Sequence, residues 1–249
     1  MAGVSIIIPT FNEEAHLPRT LRWLQRLSPE PVDIIISDGG STDRTLQLAD
    51  AMRPCFRSLH IVRGQHASRA AQMNAGAALA GGDLLCFLHA DTTLPDDALR
   101  VIDHTLSNPR TAAGGFISIM RGSHSTSWLT SLHNYLKTYY APLLFRPHLF
   151  VFRGARLLFG DQAIFCRRAQ FTAVGGFTAD MPIMEEADFL LKIVRFGRVR
   201  QINRVVESSD RRVARWGFWK ANGIYLAIGF LWGVGYPPHR LKRWFDDIR

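Results

Sequence analysis

Disulfides, zinc clusters and the common nucleotide loops are all missing from this chain. Its three cysteines, Cys55, Cys86 and Cys166, are odd in number, far apart and form no CxxC pair. That usage fits a reducing cytosol and provides no disulfide or zinc framework. A dinucleotide-binding Rossmann domain needs GxGxxG after its first strand, and here that place holds Pro-Thr-Phe-Asn-Glu-Glu. No GxxxxGK loop ending in Ser or Thr occurs either, which argues against a P-loop nucleotide hydrolase. The amino end lacks a basic region, and its apolar run Ile6-Ile7-Ile8 is stopped by Pro9, so no signal peptide is expected. Acidic residues are scarce in residues 195–249, where four face twelve Lys and Arg. Nearly all of the net charge of +9 therefore sits in the tail.

What is present is an alternation. The chain has 249 residues, 47% of them hydrophobic, enough for one large domain or two small ones. Residues 5–8, 31–37, 59–62 and 84–88 are short, mainly apolar runs, as expected of strands buried on both faces. Between them, Leu17, Leu21, Leu24 and Leu27 recur at helical spacing, and residues 67–80 are alanine-rich and read as a helix. Four such alternations predict an α/β fold, a doubly wound, mostly parallel sheet with helices on both faces. Ligands of such sheets sit beyond the carboxyl ends of the strands. The fourth run ends there on His89-Ala90-Asp91. A carboxylate with an imidazole two residues earlier suits a divalent cation held against a diphosphate. The alternative is that Asp91 caps the following turn, and both readings stay open on this stretch.

The segments Ile8-Pro9-Thr10-Phe11-Asn12-Glu13, Ser37-Asp38-Gly39-Gly40-Ser41-Thr42-Asp43, Asn74-Ala75-Gly76, Gly82-Asp83 and His89-Ala90-Asp91 follow one another over roughly the first hundred residues. In order and spacing they resemble glycosyltransferase family 2. The run from Arg69 to Gly76, with Phe87 to Asp91, is similar to the small bacterial members associated with radical-SAM and arsenosugar genes. The resemblance implies a GT-A fold, a nucleotide-diphospho-sugar donor and usually inversion at the anomeric carbon. It implies donor contacts at Pro9, Thr10, Asn12, Glu13, Asp38, Arg69, Asn74, His89, Ala90 and Asp91, with Asp38 accepting from the nucleotide base. Arg69 would face the diphosphate, or be an ordinary arginine at a helix start. Asp91 matches the last aspartate of the DxD metal motif, and His89 replaces the first. The implied cofactor is a divalent cation, Mn or Mg, with Asp91 and His89 as its ligands.

In the second half, residues 95–106 read as a helix, 112–119 as a strand and 128–140 as a helix with aromatics on one side. Residues 143–159 are apolar, dotted with arginine and broken by Pro142 and Pro147, as expected of a lid, an acceptor groove or an irregular packed loop. Residues 160–168 read as a strand with polar residues at its start. Gly175-Gly176-Phe177 then leads to Glu185-Glu186-Ala187-Asp188 at the start of a helix reaching Phe196. In the resembled family a GGF turn precedes an acidic pair whose second member, often aspartate, is the general base. Glu186 falls on that position, with Asp188 as the alternative. The other reading is that first-turn glutamates merely complement the helix dipole. Asp161, Gln162, Gly176 and Glu185 are the expected acceptor contacts. Arg211, Arg212 and Trp216 resemble a degenerate form of the family's closing basic-tryptophan motif, which would cover the diphosphate.

The expected organisation is a glycosyltransferase domain over residues 1–210, with a nucleotide-sugar half over about 1–110 and an acceptor half over about 111–210. A basic helical extension over 211–249 carries four of the six tryptophans. Basic residues interleaved with tryptophan suit an anionic membrane surface, an ordinary amphipathic helix packed on the domain is the equal alternative, and nucleic acid is the weaker one. The uncharged stretch 221–236 is short for a span. The expectation is a cytoplasmic enzyme, peripheral on the inner membrane face, using a nucleotide-sugar donor and a small-molecule or lipid-linked acceptor. The competing class is a nucleotide-sugar-binding protein without turnover, since His89 and Glu186 depart from the family pattern.

Overall fold

The structure, a computed structural model, describes residues 2–64, 68–122 and 126–244. The four apolar runs form β1 (Val4–Thr10), β2 (Asp33–Asp38), β3 (Leu59–Arg63) and β4 (Leu84–Phe87). The remaining strands are β5 (Thr92–Thr93), β6 (Thr111–Arg121), β7 (Phe165–Arg167) and β8 (Arg198–Ser209). One sheet holds them in the order β3-β2-β1-β4-β7-β6-β8-β5. The first four are mutually parallel, β7 is antiparallel to both its neighbours, β6 and β8 are parallel, and β5 closes the edge antiparallel to β8.

The first helices are α1 (Leu17–Leu24), α2 (Thr45–Ala51), α3 (Arg69–Leu79) and α4 (Ala98–Ser107). Then come α5 (Trp128–Phe145), α6 (Pro147–Arg153), α7 (Arg168–Ala173) and α8 (Glu185–Ile193). The tail forms α9 (Arg211–Trp216), α10 (Phe218–Gly233) and α11 (Pro238–Leu241). Period-2 alternation decides which helix lies on which face. Ile6, Ile8, Ile34 and Ile36 point into one core with Leu17, Leu21, Leu99 and Ile102 of α1 and α4. Ile7 and Ile35 point the other way, onto Met73 of α3 and Phe189 of α8. Helices on both faces of a mostly parallel sheet are what the alternation predicts.

Three expectations change. Residues 160–168 are not a long strand: a 3₁₀ turn at Gly160–Gln162 precedes the three residues of β7. The Phe159 N–H donates to Gln162 Oε1 (2.8 Å), and Ala163 takes a positive φ of 46°, which ends the turn. Residues 143–159 are not an irregular loop in their first part. α5 runs through Pro142, whose carbonyl still accepts from Arg146 N (2.9 Å), and Pro147 opens α6. β8 was not foreseen: its charged residues and a bulge opposite Phe116–Ile117 hide the alternation. The tail is helical as expected and, of the placements left open, takes packing on the domain, with Ile228 of α10 and Leu241 of α11 against Ile183. Ala67 of the expected helix and residues 245–249 of the tail lie outside the described residues.

α3 lies close on β1 because it is built from small residues. A Cβ on Gly76 would come 2.5 Å from Ile7 Cγ2, whereas one on Gly223 of α10 would meet nothing within 4 Å. Gly76→Val should therefore cost about 2 kcal/mol through overpacking. Gly223→Ala should be neutral or stabilising by up to about 1 kcal/mol. Urea unfolding midpoints of the two variants check the contrast.

Candidate active site

The loops after β1 and β2 are built as one unit. Asn12 adopts a positive φ of 53°, so its side chain caps the neighbouring loop by accepting from Thr42 N (2.9 Å). Asn12 N donates to Ser41 Oγ (2.8 Å), Glu13 N to Thr45 Oγ1 (2.7 Å) and Glu14 N to Asp43 Oδ2 (3.1 Å). Asp38 organises this unit: Oδ2 accepts from the Gly40 and Ser41 amides (2.9 and 2.8 Å), and Oδ1 accepts from Thr10 Oγ1 (3.1 Å). Gln72 Nε2 reaches up from α3 to the carbonyls of Thr10 and Ser37 (2.6 and 2.8 Å). The strand ends are thereby held rigid, and the Glu13 carboxylate is aimed inward.

Six carboxylates line one cavity beyond the strand ends: Glu13, Asp91, Asp161, Glu185, Glu186 and Asp210, which accepts from Ser127 Oγ (3.0 Å). Their partners come from far apart in the chain. The Arg211 guanidinium donates to both oxygens of Glu13 (2.9 Å each) and lies 3.1 Å from Asp91 Oδ2. The pairing of Thr92 with Ser208 makes this possible, because it sets Asp91 beside the β8–α9 junction. Arg69, at the first turn of α3, places Nη1 3.3 Å from Glu185 Oε1 and 3.5 Å from Glu186 Oε1. His89 Nε2 lies 3.8 Å from Glu186 Oε1. Gly160 closes over this pair so tightly that a Cβ there would meet His89 Nε2 at 2.1 Å and Glu186 Oε1 at 2.6 Å.

Burial, reinforced by the adjacent Glu185, pushes the Glu186 carboxyl up to about 7. Burial also raises Asp161, which accepts from Asn134 Nδ2 (2.5 Å). Facing them, Lys137 of α5 is brought down to about 8 by desolvation, against the pull of Asp161 and Glu186. Its ammonium sits 3.6 Å from the centroid of the Phe159 ring. For Arg211, the hydrogen bonds to Glu13 and the charge of Asp91 outweigh burial and hold the guanidinium above its ordinary range. Burial and the nearby Arg69 lower Arg212. Met184, immediately before the acidic pair, has a positive φ of 67°, a strained conformation that starts α8 with both glutamates turned inward.

The cavity brings together Pro9, Glu13, Arg69, His89, Ala90, Asp91, Asp161, Glu185, Glu186, Arg211 and Arg212 from the sequence-derived set. Others lie away from its lining. Thr10, Asn12 and Asp38 hold the loop unit. Asn74 pins the GGF turn, donating to Phe177 O (2.8 Å) and accepting from Phe177 N (2.9 Å), with Gly176 at φ 67° inside that turn. Gln162 is buried in its own 3₁₀ turn, and Trp216 stacks loosely near Tyr225 at 6.4 Å. Asp188, the alternative base of the sequence reading, accepts from Thr178 Oγ1 (2.7 Å), pairs with Lys192 (2.9 Å) and does not line the cavity. Residues the sequence did not single out also line it, namely His133, Asn134 and Lys137 of α5, Tyr225 of α10 and Gly160. The available signal was the single lysine in a helix otherwise read for its aromatics.

Among the described residues, no three His, Cys, Asp or Glu side chains group so as to hold a metal ion. Asp91 is the one carboxylate on the motif, and His89 is turned toward Glu186. That set fits a cation only in the mode where one carboxylate, water and ligand phosphates complete the shell.

Comparison with known proteins adds the family. The model of Glycosyl transferase family 2 matches residues 5–170. A PGL/p-HBAD biosynthesis glycosyltransferase of Mycobacterium bovis is 35% identical over 197 residues, 76% of this chain and 68% of that protein. A validoxylamine A glucosyltransferase of Streptomyces hygroscopicus is 38% identical over 88 residues, 34% of this chain and 19% of its own length. Among solved structures, mannosyltransferase PcManGT from Pyrobaculum calidifontis, in complex with GDP-Man and Mn2+, superposes with a TM-score of 0.70. Its identity is 18%, covering 97% of this chain and 67% of that one. Residues 1–349 of TarS from S. aureus give a TM-score of 0.60 at 15% identity, covering 92% of this chain, which spans 65% of that fragment.

The Arg211 ion pairs imply a stability test. Arg211→Met leaves Glu13 buried without its bidentate partner, which should cost about 2 to 3 kcal/mol. Arg211→Lys should recover only part of this, because a point charge cannot span both oxygens. Denaturant midpoints of the two variants, with the wild type, check it.

Proposed function

We propose that this chain, which belongs to glycosyltransferase family 2, moves a sugar with inversion from a nucleotide-diphospho-sugar to an acceptor hydroxyl, with Glu186 as general base. The observation that carries the reading is Glu186 itself, a buried carboxylate facing Asp91, His89 and Arg69 across one cavity and titrating at about 7. A base is most effective when its pKa lies near the working pH. Glu186 would take the proton of the acceptor hydroxyl as that oxygen attacks the sugar C1. The C1–O bond breaks on the opposite side, and its electron pair leaves with the diphosphate.

The donor end of the cavity holds Arg69, Arg211 and Arg212, whose guanidinium groups suit diphosphate oxygens. The nucleotide would lie beside the rigid loops at Thr10, Asn12 and Asp38, the positions carried by the resemblance. A divalent cation, Mn or Mg, would be held by Asp91 with His89 beside it, and would neutralise charge on the leaving diphosphate. The GDP-Man and Mn2+ bound to PcManGT support both suggestions. The acceptor would lie against Asp161, Lys137 and Glu185. Kinship with the transferases found alongside radical-SAM and arsenosugar genes rests on the Arg69–Gly76 run and His89-Ala90-Asp91 alone.

Three outcomes are expected. In a thermal-shift screen of nucleotide-diphospho-sugars, the true donor raises the melting temperature with its affinity. Manganese adds to that rise in the wild type and adds nothing in Asp91→Asn. In transfer assays kcat/KM should fall about tenfold per pH unit below about 7, and Glu186→Gln should lower kcat by roughly 10²–10⁴. A Glu186→Gln variant with full activity ends the assignment. The same residue makes stability pH-dependent. Glu186 ionises near 4.5 when unfolded and near 7 when folded, so between those values the native state binds the extra proton. Its contribution to stability is lost as pH rises through that window. Glu186→Gln should gain melting temperature relative to wild type at pH 8 more than at pH 5.

A further inference from the structure

α5 is polar inside and apolar outside. Its buried residues include Thr130, Ser131, Asn134 and Thr138. Its exposed residues are Trp128, Leu129, Leu132, Leu136, Leu143 and Leu144, with Trp128 67% and Leu144 66% exposed. Their spacing of three, four and seven draws one continuous stripe along the helix. An ordinary domain helix has the reverse arrangement, and apolar surface of this extent marks an interaction site.

The neighbours extend the stripe. α6 packs on α5 and leaves Val151 and Phe152 outward, Phe152 82% exposed. α10 packs on α5 through polar groups near its start, with Asn222 Nδ2 donating to Thr130 Oγ1 (3.1 Å) and Asn222 Oδ1 3.2 Å from His133 Nδ1, and through Phe145 edge-on to Phe230 (5.8 Å) near its end. Its outer side presents Trp219, Leu226 and Phe230, Trp219 at 85% exposure.

Charge identifies what covers this face. From residue 122 to 160 and from 211 to 244 the chain has no Asp or Glu. The same segments expose Arg153, Arg215, Lys220, Arg240 and Arg243. A face with large apolar side chains, cations and no acid complements an anionic lipid surface. A second copy of this chain would set cations against cations. Among the described residues no helix is long and apolar enough to cross a membrane, so the contact is interfacial.

We infer that the outer faces of α5, α6 and α10 dock this protein on an anionic bilayer, and that the cavity walled by the inner faces of α5 and α10 receives an acceptor hydroxyl carried by a membrane-borne amphiphile. The acceptor part rests on the glycosyl-transfer reading, and the docking part does not. More of the face lies on α5 and α6 than on the tail, where the sequence alone located it.

The test uses the full chain without any sugar donor. It should co-sediment with vesicles of equal parts phosphatidylcholine and phosphatidylglycerol, with a blue shift of tryptophan emission, and bind vesicles of phosphatidylcholine alone at least roughly tenfold more weakly. Leu132→Glu/Phe152→Glu/Phe230→Glu should reduce binding to the mixed vesicles about tenfold or more, while the thermal shift by a nucleotide-sugar donor is kept. Arg153→Glu/Lys220→Glu, confined to exposed positions, should weaken it as well. Absence of wild-type binding to the mixed vesicles overturns the docking face. So does binding unchanged in the double variant, or a wild-type dimer that the triple variant splits while neither binds lipid. Vesicle binding with no transfer to lipid or soluble acceptors upholds the face and overturns the transfer reading instead.

Discussion

Holding six carboxylates around one cavity, five of them deep in it, is the constraint on which the rest of this structure depends. Glu13, Asp91, Asp161, Glu185 and Glu186 would repel one another and lose hydration if left unpaired, at several kcal/mol for each buried ion. Four cations answer them, and each arrives on a different piece of the fold. Arg69 comes from the first turn of α3, Lys137 from the middle of α5, and Arg211 and Arg212 from the start of α9. The site therefore exists only when the amino-terminal sheet, the helical second half and the tail are assembled together. Proton uptake by Glu186 relieves what the cations leave unbalanced, and its carboxyl is lifted to about 7.

The sheet edge explains how the tail reaches the site. β5 has only two residues, and its pairing with Ser208 and Glu207 carries little stability of its own. It fixes position instead. Asp91 immediately precedes β5 and Arg211 lies two residues beyond β8, so one antiparallel register brings the acid and the guanidinium within 3.1 Å. A boundary drawn at residue 210 thus cuts through the best-paired contact of the cavity. The catalytic domain and the basic extension work as one body around Glu13 and Asp91.

The amino-terminal half was legible because its physics is local. β-branched runs such as Ile6-Ile7-Ile8 and Ile34-Ile35-Ile36 declare buried parallel strands, and glycine, serine and aspartate after them declare tight loops. The acidic pair at Glu185 and Glu186 was legible from its place after the GGF turn. That Asp188 pairs with Lys192 while Glu185 and Glu186 are buried needed coordinates, as did the strained Met184 conformation that starts α8. β8 stayed hidden because a bulge breaks its alternation and its outer residues are arginines. The family resemblance places Asp38 and Asn74 among the donor contacts, and the backbone groups they hold could not be read from the sequence. In the fold they hold backbone, Asp38 its own loop and Asn74 a turn about one hundred residues away in the chain.

The two sides of the cavity are made by different physics, and that difference bears on function. On one side, loops locked by side-chain to backbone hydrogen bonds fix charged groups at the cavity wall. On the other side, α5 and α10 meet through His133, Asn222 and Thr130 and through Phe145 on Phe230, and a stripe of large apolar side chains is left outside. Such helices gain little from the hydrophobic effect until something apolar covers them. Covering them also holds Asn134 and Lys137, on the inner side of α5, against Asp161. An apolar partner on the outer face and a polar reaction on the inner face therefore share one rigid element, and occupancy of the first steadies the geometry of the second.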